Sequence, residues 1–128
     1  MIAGTVNSNL EPIIRISVQD STGELHEQDA IIDTGFNGWL TLPPEFIAIL
    51  QLSWQRAGTA ILADGIQTLF DVYEAKMLWD NELVSVPVDE ADAAPLVGMS
   101  LMLGHQLLLS VVEDGAITLR KLQCEEMS

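Results

Sequence analysis

An aspartate at the end of an apolar segment is the residue of this chain best suited to chemistry. Asp33 follows Ala30-Ile31-Ile32 and precedes Thr34 and Gly35. A glycine permits a tight turn and the close approach of another backbone or of a substrate, and a threonine hydroxyl can bond to main-chain groups of its own loop. A carboxylate held rigidly on an apolar floor can act as a general acid or base. The alternative reading is an ordinary turn after a strand.

The setting of this tripeptide resembles a known family. The segment Ala30-Ile31-Ile32-Asp33-Thr34-Gly35-Phe36-Asn37-Gly38-Trp39-Leu40-Thr41-Leu42-Pro43 is similar to the active-site segment of retropepsin-like aspartic proteases, and Phe36 resembles the stand-alone bacterial branch. Two apolar residues and a glycine, Leu96-Val97-Gly98, then precede a short predicted helix, and strands around Asp114-Gly115 follow. The resemblance covers nearly the whole chain in order.

The resemblance implies a fold and a set of site residues. The fold would be all-β, a retropepsin-like closed β-barrel equivalent to one half of an acid protease, with one or two short helices. Residues 1–128 would form a single domain. Asp33 would be catalytic, supported by Thr34 and Gly35 in its loop and by the packing element Leu96, Val97 and Gly98. A hairpin tip at Ala63, Asp64 and Gly65 would be the substrate-binding flap.

The resemblance also implies a reaction, the hydrolysis of peptide bonds in a peptide or protein substrate by a homodimer. Each chain would supply one Asp33, and two carboxylates about 3 Å apart cannot both ionise, so the pair would share one proton. The ionised member would activate a water molecule, and the protonated member would donate to the scissile carbonyl.

Two other function classes stay open. Phe36 is bulkier than the residue that viral members have after the motif glycine, and the hairpin tip at Ala63-Asp64-Gly65 carries one glycine. These departures favour a catalytically weak or inactive dimer that binds peptides or proteins on the same fold. An unrelated β-barrel binding protein would be a monomer without a symmetric pair of Asp33 loops.

Short apolar segments separated by turn residues indicate a chain built mainly of strands. Alternation predicts a strand around Ile14–Val18, with Leu25–Ile32 as the returning strand. Asp64-Gly65, Asp80-Asn81 and Asp114-Gly115 each separate two such segments and predict hairpins.

Two helices are expected. Pro43-Pro44-Glu45 is typical of a helix start, and Phe46, Ile47, Ile49 and Leu50 would form its apolar face. A second, short helix is predicted from Ser100 to Leu103, with Gly104 ending it. The residues from Asp89 to Pro95 read as an acidic surface loop. Residues 123–128 are expected to be a flexible tail or a dimer-interface strand.

Composition excludes several classes of function. Five Lys and Arg against 19 Asp and Glu give a formal charge of −14, which repels phosphate backbones, so we expect no nucleic-acid partner. Apolar runs reach only about five residues, far short of the roughly 20 that a membrane-spanning helix needs, so we expect no membrane partner. No amino-terminal basic and apolar leader is evident.

Metal and thiol chemistry is not expected. His26 and His105 are far apart in the sequence and show no ligand-like spacing, so no metal site and no cofactor are predicted. Cys124 is the single cysteine and lies in a polar tail without a local base, so we expect no nucleophilic role for it. A single cysteine forms no internal disulfide, and a reducing, cytoplasmic location is expected.

Overall fold

The computed structural model describes residues 1–127, within which ten strands, one α-helix and one 3-10 helix are formed. The strands are β1 (Ile2–Val6), β2 (Pro12–Gln19), β3 (Leu25–Ile32), β4 (Leu40–Leu42), β5 (Ser53–Ile61), β6 (Gln67–Trp79), β7 (Glu82–Glu90), β8 (Leu96–Val97), β9 (His105–Leu109) and β10 (Ala116–Lys121). The α-helix, α1, spans Pro44–Leu50, and the 3-10 helix spans Cys124–Glu126.

Buried and exposed side chains alternate along β2, the first strand of the first long strand pair. Ile14, Ile16 and Val18 are buried along β2, whereas Arg15 between them is exposed. The predicted returning strand is confirmed as β3, which pairs antiparallel with β2.

The three predicted hairpins are also confirmed, joining β5 to β6, β6 to β7 and β9 to β10. Asp80 and Asn81 adopt φ values of 50° and 68°, the left-handed backbone that a two-residue hairpin turn requires.

A single sheet closes on itself. The strand order is β5-β6-β7-β4-β8-β3-β2-β1-β10-β9, and an additional pairing of β6 with β2 joins six of these strands into a ring. The all-β prediction is therefore confirmed. β5 extends the sheet beyond the ring on one side, and β1, β10 and β9 extend it on the other.

The core lies between the strands of this sheet and α1. Ile14, Leu40, Leu50, Met77 and Leu119 are among its fully buried side chains. Burying a leucine or isoleucine side chain stabilises a fold by about 1.5–3 kcal/mol, so this apolar cluster holds the ring in its closed form.

The first predicted helix is confirmed as α1, with proline at its start and Glu45 in its first turn. Ile47 and Leu50, three residues apart, face the core. Ile49 was predicted to share that face, but it points to solvent and is 63% exposed. At 3.6 residues per turn the helix buries one stripe, and Ile49 lies outside it.

The second predicted helix, Ser100 to Leu103, is wrong. Residues 99–104 form successive turns, and Gly104 ends them at a φ of 83°. Ser100 does not cap a helix, because its hydroxyl donates to the carbonyl oxygen of Asn37 instead. Four residues gain too few hydrogen bonds to offset the cost of starting a helix.

Two boundaries differ from expectation. Asp89 and Glu90, assigned from sequence to a loop, extend β7, because they pair in parallel with Thr41 and Leu42 of β4. In the tail, Cys124–Glu126 form a 3-10 helix rather than a strand, and Glu126 bonds Arg120 at 2.8 Å. Ser128 lies outside the described residues, and the interface role of the tail stays a prediction.

Neither helix found in residues 1–127 has the length and apolar character needed to cross a membrane.

Candidate active site

Asp33 follows the last residue of β3 and begins a tight turn. Its backbone N–H donates to the carbonyl oxygen of Val97 at 2.9 Å, and its own carbonyl accepts from the N–H of Phe36 at 3.2 Å. Oδ1 of its half-buried carboxylate accepts the N–H of Gly35 at 2.9 Å. A Cβ at position 35 would lie 3.2 Å from that oxygen, so glycine lets the carboxylate fold back over its own loop. The other carboxylate oxygen, Oδ2, makes no hydrogen bond within residues 1–127.

Thr34 differs from expectation. Its side chain is exposed, and its hydroxyl forms no hydrogen bond with the part of the chain that the structure describes. The expected bond from this hydroxyl to its own loop is therefore not made in a single chain. The loop is ordered instead by backbone bonds and by the carboxylate of Asp33.

Strand β8 runs beneath the loop. Leu96 and Val97 pair in parallel with the end of β3 and antiparallel with β4. The buried hydroxyl of Thr41 on β4 accepts the N–H of Leu96 at 3.0 Å. Thr41 is the single buried polar residue among those described, 6% exposed, and sequence reasoning gave it no role.

Gly98 has no room for a side chain. A Cβ there would lie 2.2 Å from the carbonyl oxygen of Gly38 and 2.6 Å from a ring carbon of Phe36. Its N–H donates to the carbonyl of Trp39 at 3.0 Å. The structure thus brings Gly98 into contact with the segment that carries Asp33, which is where the sequence-predicted supporting element should lie.

The turns after Gly98 bind the other edge of the loop. The N–H of Met99 donates to the carbonyl of Phe36 at 2.8 Å, and that of Ser100 donates to the carbonyl of Gly38 at 3.1 Å. Two separate stretches of chain, 33–39 and 97–100, are therefore held together mainly by backbone hydrogen bonds.

A largely apolar cavity of about 540 Å³ opens beside this loop. Thr34 and Trp39 border it on the loop side, and Met99, Leu103 and Leu107 border it on the other. Leu103 is 84% exposed. Position 103 was assigned from sequence to a helix, so this apolar surface next to Thr34 was not anticipated.

The predicted flap is a protruding hairpin. The tip Ala63-Asp64-Gly65 lies between β5 and β6, with Gly65 at a φ of 83° and the Asp64 carboxylate accepting the N–H of Ile66. Four exposed apolar side chains surround the tip: Ile61, Leu62, Ile66 and Leu69. Within the described residues, no hydrogen bond joins the tip to the Asp33 loop. A substrate role for Ala63, Asp64 and Gly65 therefore stays a prediction.

The base of this hairpin is reinforced by aromatic side chains. A Cβ on Gly58 would lie 2.5 Å from the Phe70 ring, so the ring covers the glycine on the neighbouring strand. Trp54 Nε1 donates to Asp71 at 3.0 Å. Contacts of this kind stiffen a two-stranded extension that has no core of its own.

Away from the loop, the structure brings three possible metal ligands together: Asp20, Glu24 and His26. The Asp20 carboxylate already accepts the hydroxyl and N–H of Thr22 and the N–H of Glu24, and it contacts His26 Nε2 at 2.8 Å. Chiefly the Thr22 hydroxyl, and then His26, hold the pKa of Asp20 well below its usual range. Through these hydrogen bonds the carboxylate stabilises the turn between β2 and β3.

No protein-family model matches the chain, and no curated protein matches its sequence. Among solved structures, it is similar to a retropepsin-like aspartic protease from Rickettsia conorii, with 15% identity over 95% of this chain and 91% of that one, at a TM-score of 0.61. It is also similar to EIAV protease complexed with the inhibitor HBY-793, with 16% identity over 72% of this chain and 85% of that one, at a TM-score of 0.55.

A ring of strands with an Asp-Thr-Gly turn at the end of β3 defines the class. The chain has the fold of the retropepsin-like aspartic proteases.

Proposed function

We propose that this protein is an aspartic endopeptidase that acts as a homodimer. The observation that carries the proposal is Asp33, half-buried at the end of β3 on a retropepsin fold, with its backbone N–H bonded to Val97 and its carboxylate bonded to the N–H of Gly35. The Asp33 carboxylates of two copies would face each other and share one proton. Their proposed substrate is a peptide or protein, and the mechanism uses no metal or other cofactor.

The chemistry needs two carboxylates with different roles. The ionised Asp33 takes a proton from a water molecule, which attacks the scissile carbonyl. The protonated Asp33 of the second copy donates to the carbonyl oxygen, so negative charge does not accumulate there. The resulting diol then collapses: the first Asp33 returns its proton to the peptide nitrogen, a diol hydroxyl returns a proton to the second Asp33, and the C–N bond breaks to release an acid and an amine. Because the same residue plays both parts, the titration belongs to the pair and not to one side chain.

A second copy has a suitable edge to bind. β9 pairs with β10 on one side only and ends the sheet. The N–H of Ser110 donates to the carbonyl of Ala116, and hydrogen-bonded positions alternate along an antiparallel strand. The backbone groups of Gln106 and Leu108 therefore bond to β10. Those of Leu107 and Leu109 point away from β10, toward the open edge of the sheet. An exposed edge strand is a template for pairing with another chain.

Location and charge favour the same edge. Leu107 borders the cavity that Thr34 also borders, so a partner on β9 would lie beside the Asp33 loop. Two copies at −14 each repel one another, but residues 93–112 contain no Asp or Glu, and β10 next to them carries Lys121. Two-fold pairing through Leu107 and Leu109 would place Leu108 opposite its own copy.

We further propose that the β5–β6 hairpin covers the substrate. Its exposed apolar side chains around Asp64-Gly65 are unshielded in one chain and are suited to contact an extended peptide. The exposed free Cys124 is compatible with a reducing, cytoplasmic location.

The experiment is a subunit-mixing assay with Asp33→Asn. The variant alone should retain its fold, because asparagine is nearly isosteric, and should lose activity by on the order of 10²–10⁴-fold or more. Equal amounts of variant and wild type, allowed to exchange, should leave about a quarter of the activity of the same total wild-type protein, because only wild-type pairs hold two carboxylates.

Other outcomes separate the alternatives. A residual activity of about one half would mean that each subunit holds a complete site, against the two-fold arrangement. A wild-type protein that binds peptides but does not cleave them would favour the alternative function, a catalytically inactive dimer that binds peptides or proteins. A protein that stays monomeric throughout would refute the homodimer and, with it, the site made of two Asp33 carboxylates.

A further inference from the structure

The aromatic ring that follows the Asp-Thr-Gly turn lies against two glycines. A Cβ at Gly38 would meet the Phe36 ring at 2.5 Å, with Cε1 and Cζ both at that distance. A Cβ at Gly98 would meet Cδ2 of the same ring at 2.6 Å. The half-buried ring therefore occupies the space that side chains at both positions would fill.

The backbone of Phe36 joins the same two segments. Its N–H donates to the carbonyl of Asp33, and its carbonyl accepts from the N–H of Met99. Asp33 in turn donates to Val97, one residue before Gly98. Backbone hydrogen bonds thus connect the segment that contains Asp33 and Phe36 with the segment that contains Val97 and Met99. The Phe36 ring packs between these two segments.

Removal of the ring would leave a void flanked by two glycines. Glycine has the largest conformational freedom of any residue, so the backbone at 38 and 98 would be free to shift. Unfilled space in a packed region also loses the contacts that held its lining in place. Both effects act on the loop that carries the Asp33 carboxylate.

We infer that Phe36 is a positioning residue, which wedges the Asp33 loop against Gly98 and does not form the wall of a substrate subsite. This inference rests on the proposed peptidase function. A displacement of about 1 Å in a catalytic group can cost on the order of 10²-fold in rate, so a wedge at this place has a measurable effect on catalysis.

The kinetic test compares Phe36→Ala and Phe36→Leu with wild type on two peptides that differ in the side chains flanking the cleaved bond. For Phe36→Ala we expect kcat to fall by on the order of 10²-fold on both peptides with KM unchanged. Phe36→Leu, which refills most of the space, should restore most of the rate. A change in KM or in preference between the two peptides, with kcat retained, would assign the ring to a subsite and overturn the inference.

A double-mutant cycle tests the wedge without any activity. Gly38→Ala should lower the melting temperature because its new Cβ meets the Phe36 ring, and Phe36→Ala in the same chain should remove that penalty. Gly98→Ala is the matched control. Its Cβ would still lie 2.2 Å from the Gly38 carbonyl oxygen, so Phe36→Ala should not rescue it.

The two tests fail separately. If Gly38→Ala costs the same with and without Phe36, the ring does not lie against Gly38 and the wedge is refuted, whatever the enzyme does. If wild type cleaves no peptide while the cycle behaves as expected, the proposed peptidase function is refuted, and with it the catalytic role of Phe36, but the packing of its ring is upheld.

Discussion

The backbone N–H of Asp33 donates to the carbonyl oxygen of Val97 at 2.9 Å, across two strands that run parallel at the end of the ring. The bond continues the pairing of β3 with β8 by one step, into the turn itself. Asp33 therefore makes the last hydrogen bond between β3 and β8 and is also the first residue of the loop. A carboxylate anchored in this way can be presented at the surface without the mobility of an ordinary loop residue.

Thr41→Val tests the support beneath this anchor. The substitution keeps the shape of the side chain but removes the oxygen that accepts the N–H of Leu96, leaving a partly buried donor without its partner. We expect a loss of about 1–3 kcal/mol in the free energy of unfolding. Urea titration measures it, with Thr59→Val on the exposed hairpin as the control. Equal and small effects of the two substitutions would contradict the importance of this hydrogen bond.

Leu108→Asp tests the proposed dimer edge. In a two-fold pairing of β9 strands the new carboxylates would lie opposite each other, and like charges in that position are destabilising. We expect the variant to sediment as a monomer and to lose peptidase activity. Ile49→Asp makes the same change on α1, at 63% exposure against 64% for Leu108, and should remain a dimer. Dissociation by both variants, or by neither, would count against the β9 edge.

Acid stability should depend on Asp20. Hydrogen bonds from Thr22, and then His26, hold the pKa of this carboxyl well below its usual range. The unfolded chain therefore takes up the proton first, near an ordinary aspartate pKa of about 3.9, so the stabilisation is complete above that pH and is lost as the pH falls further.

The free energies of unfolding of Asp20→Asn and of wild type should thus differ at neutral pH and become equal in strong acid. Asp29→Asn is the control, because its exposed side chain makes no hydrogen bond among residues 1–127. A difference in the free energy of unfolding between Asp20→Asn and wild type that widens on acidification would contradict the prediction.

Peptide hydrolysis should be insensitive to chelators and to thiol-blocking reagents. The proposed reaction uses two carboxylates and water, and it gives no role to Cys124, which lies exposed in the 3-10 helix of the tail. Activity is measured before and after treatment with a chelator and, separately, with an alkylating reagent. Loss of activity on chelation, reversed by adding a metal ion, would refute the two-carboxylate mechanism.

Local patterns of the chain determined much of the fold. Alternation along Ile14–Val18, the turn residues at Asp80-Asn81 and the prolines at the start of α1 act over a few neighbouring residues, so they can be recognised without knowledge of the rest of the chain. The Asp33 loop was found in the same way, from an apolar strand that ends in a carboxylate and a glycine.

Only the tertiary structure decided what these elements contact. The exposure of Ile49 and the replacement of the predicted helix at 100–103 by turns depend on segments distant in sequence. The structure also shows that the Thr34 hydroxyl makes no hydrogen bond among residues 1–127. The ring of Phe36 is the clearest case. Its bulk was noted from the sequence as a departure from the viral members of the family, but only the structure shows that Gly38 and Gly98 leave the space that receives it. Close packing is a property of three dimensions, and two glycines sixty positions apart meet around one ring only when β8 lies beside β4.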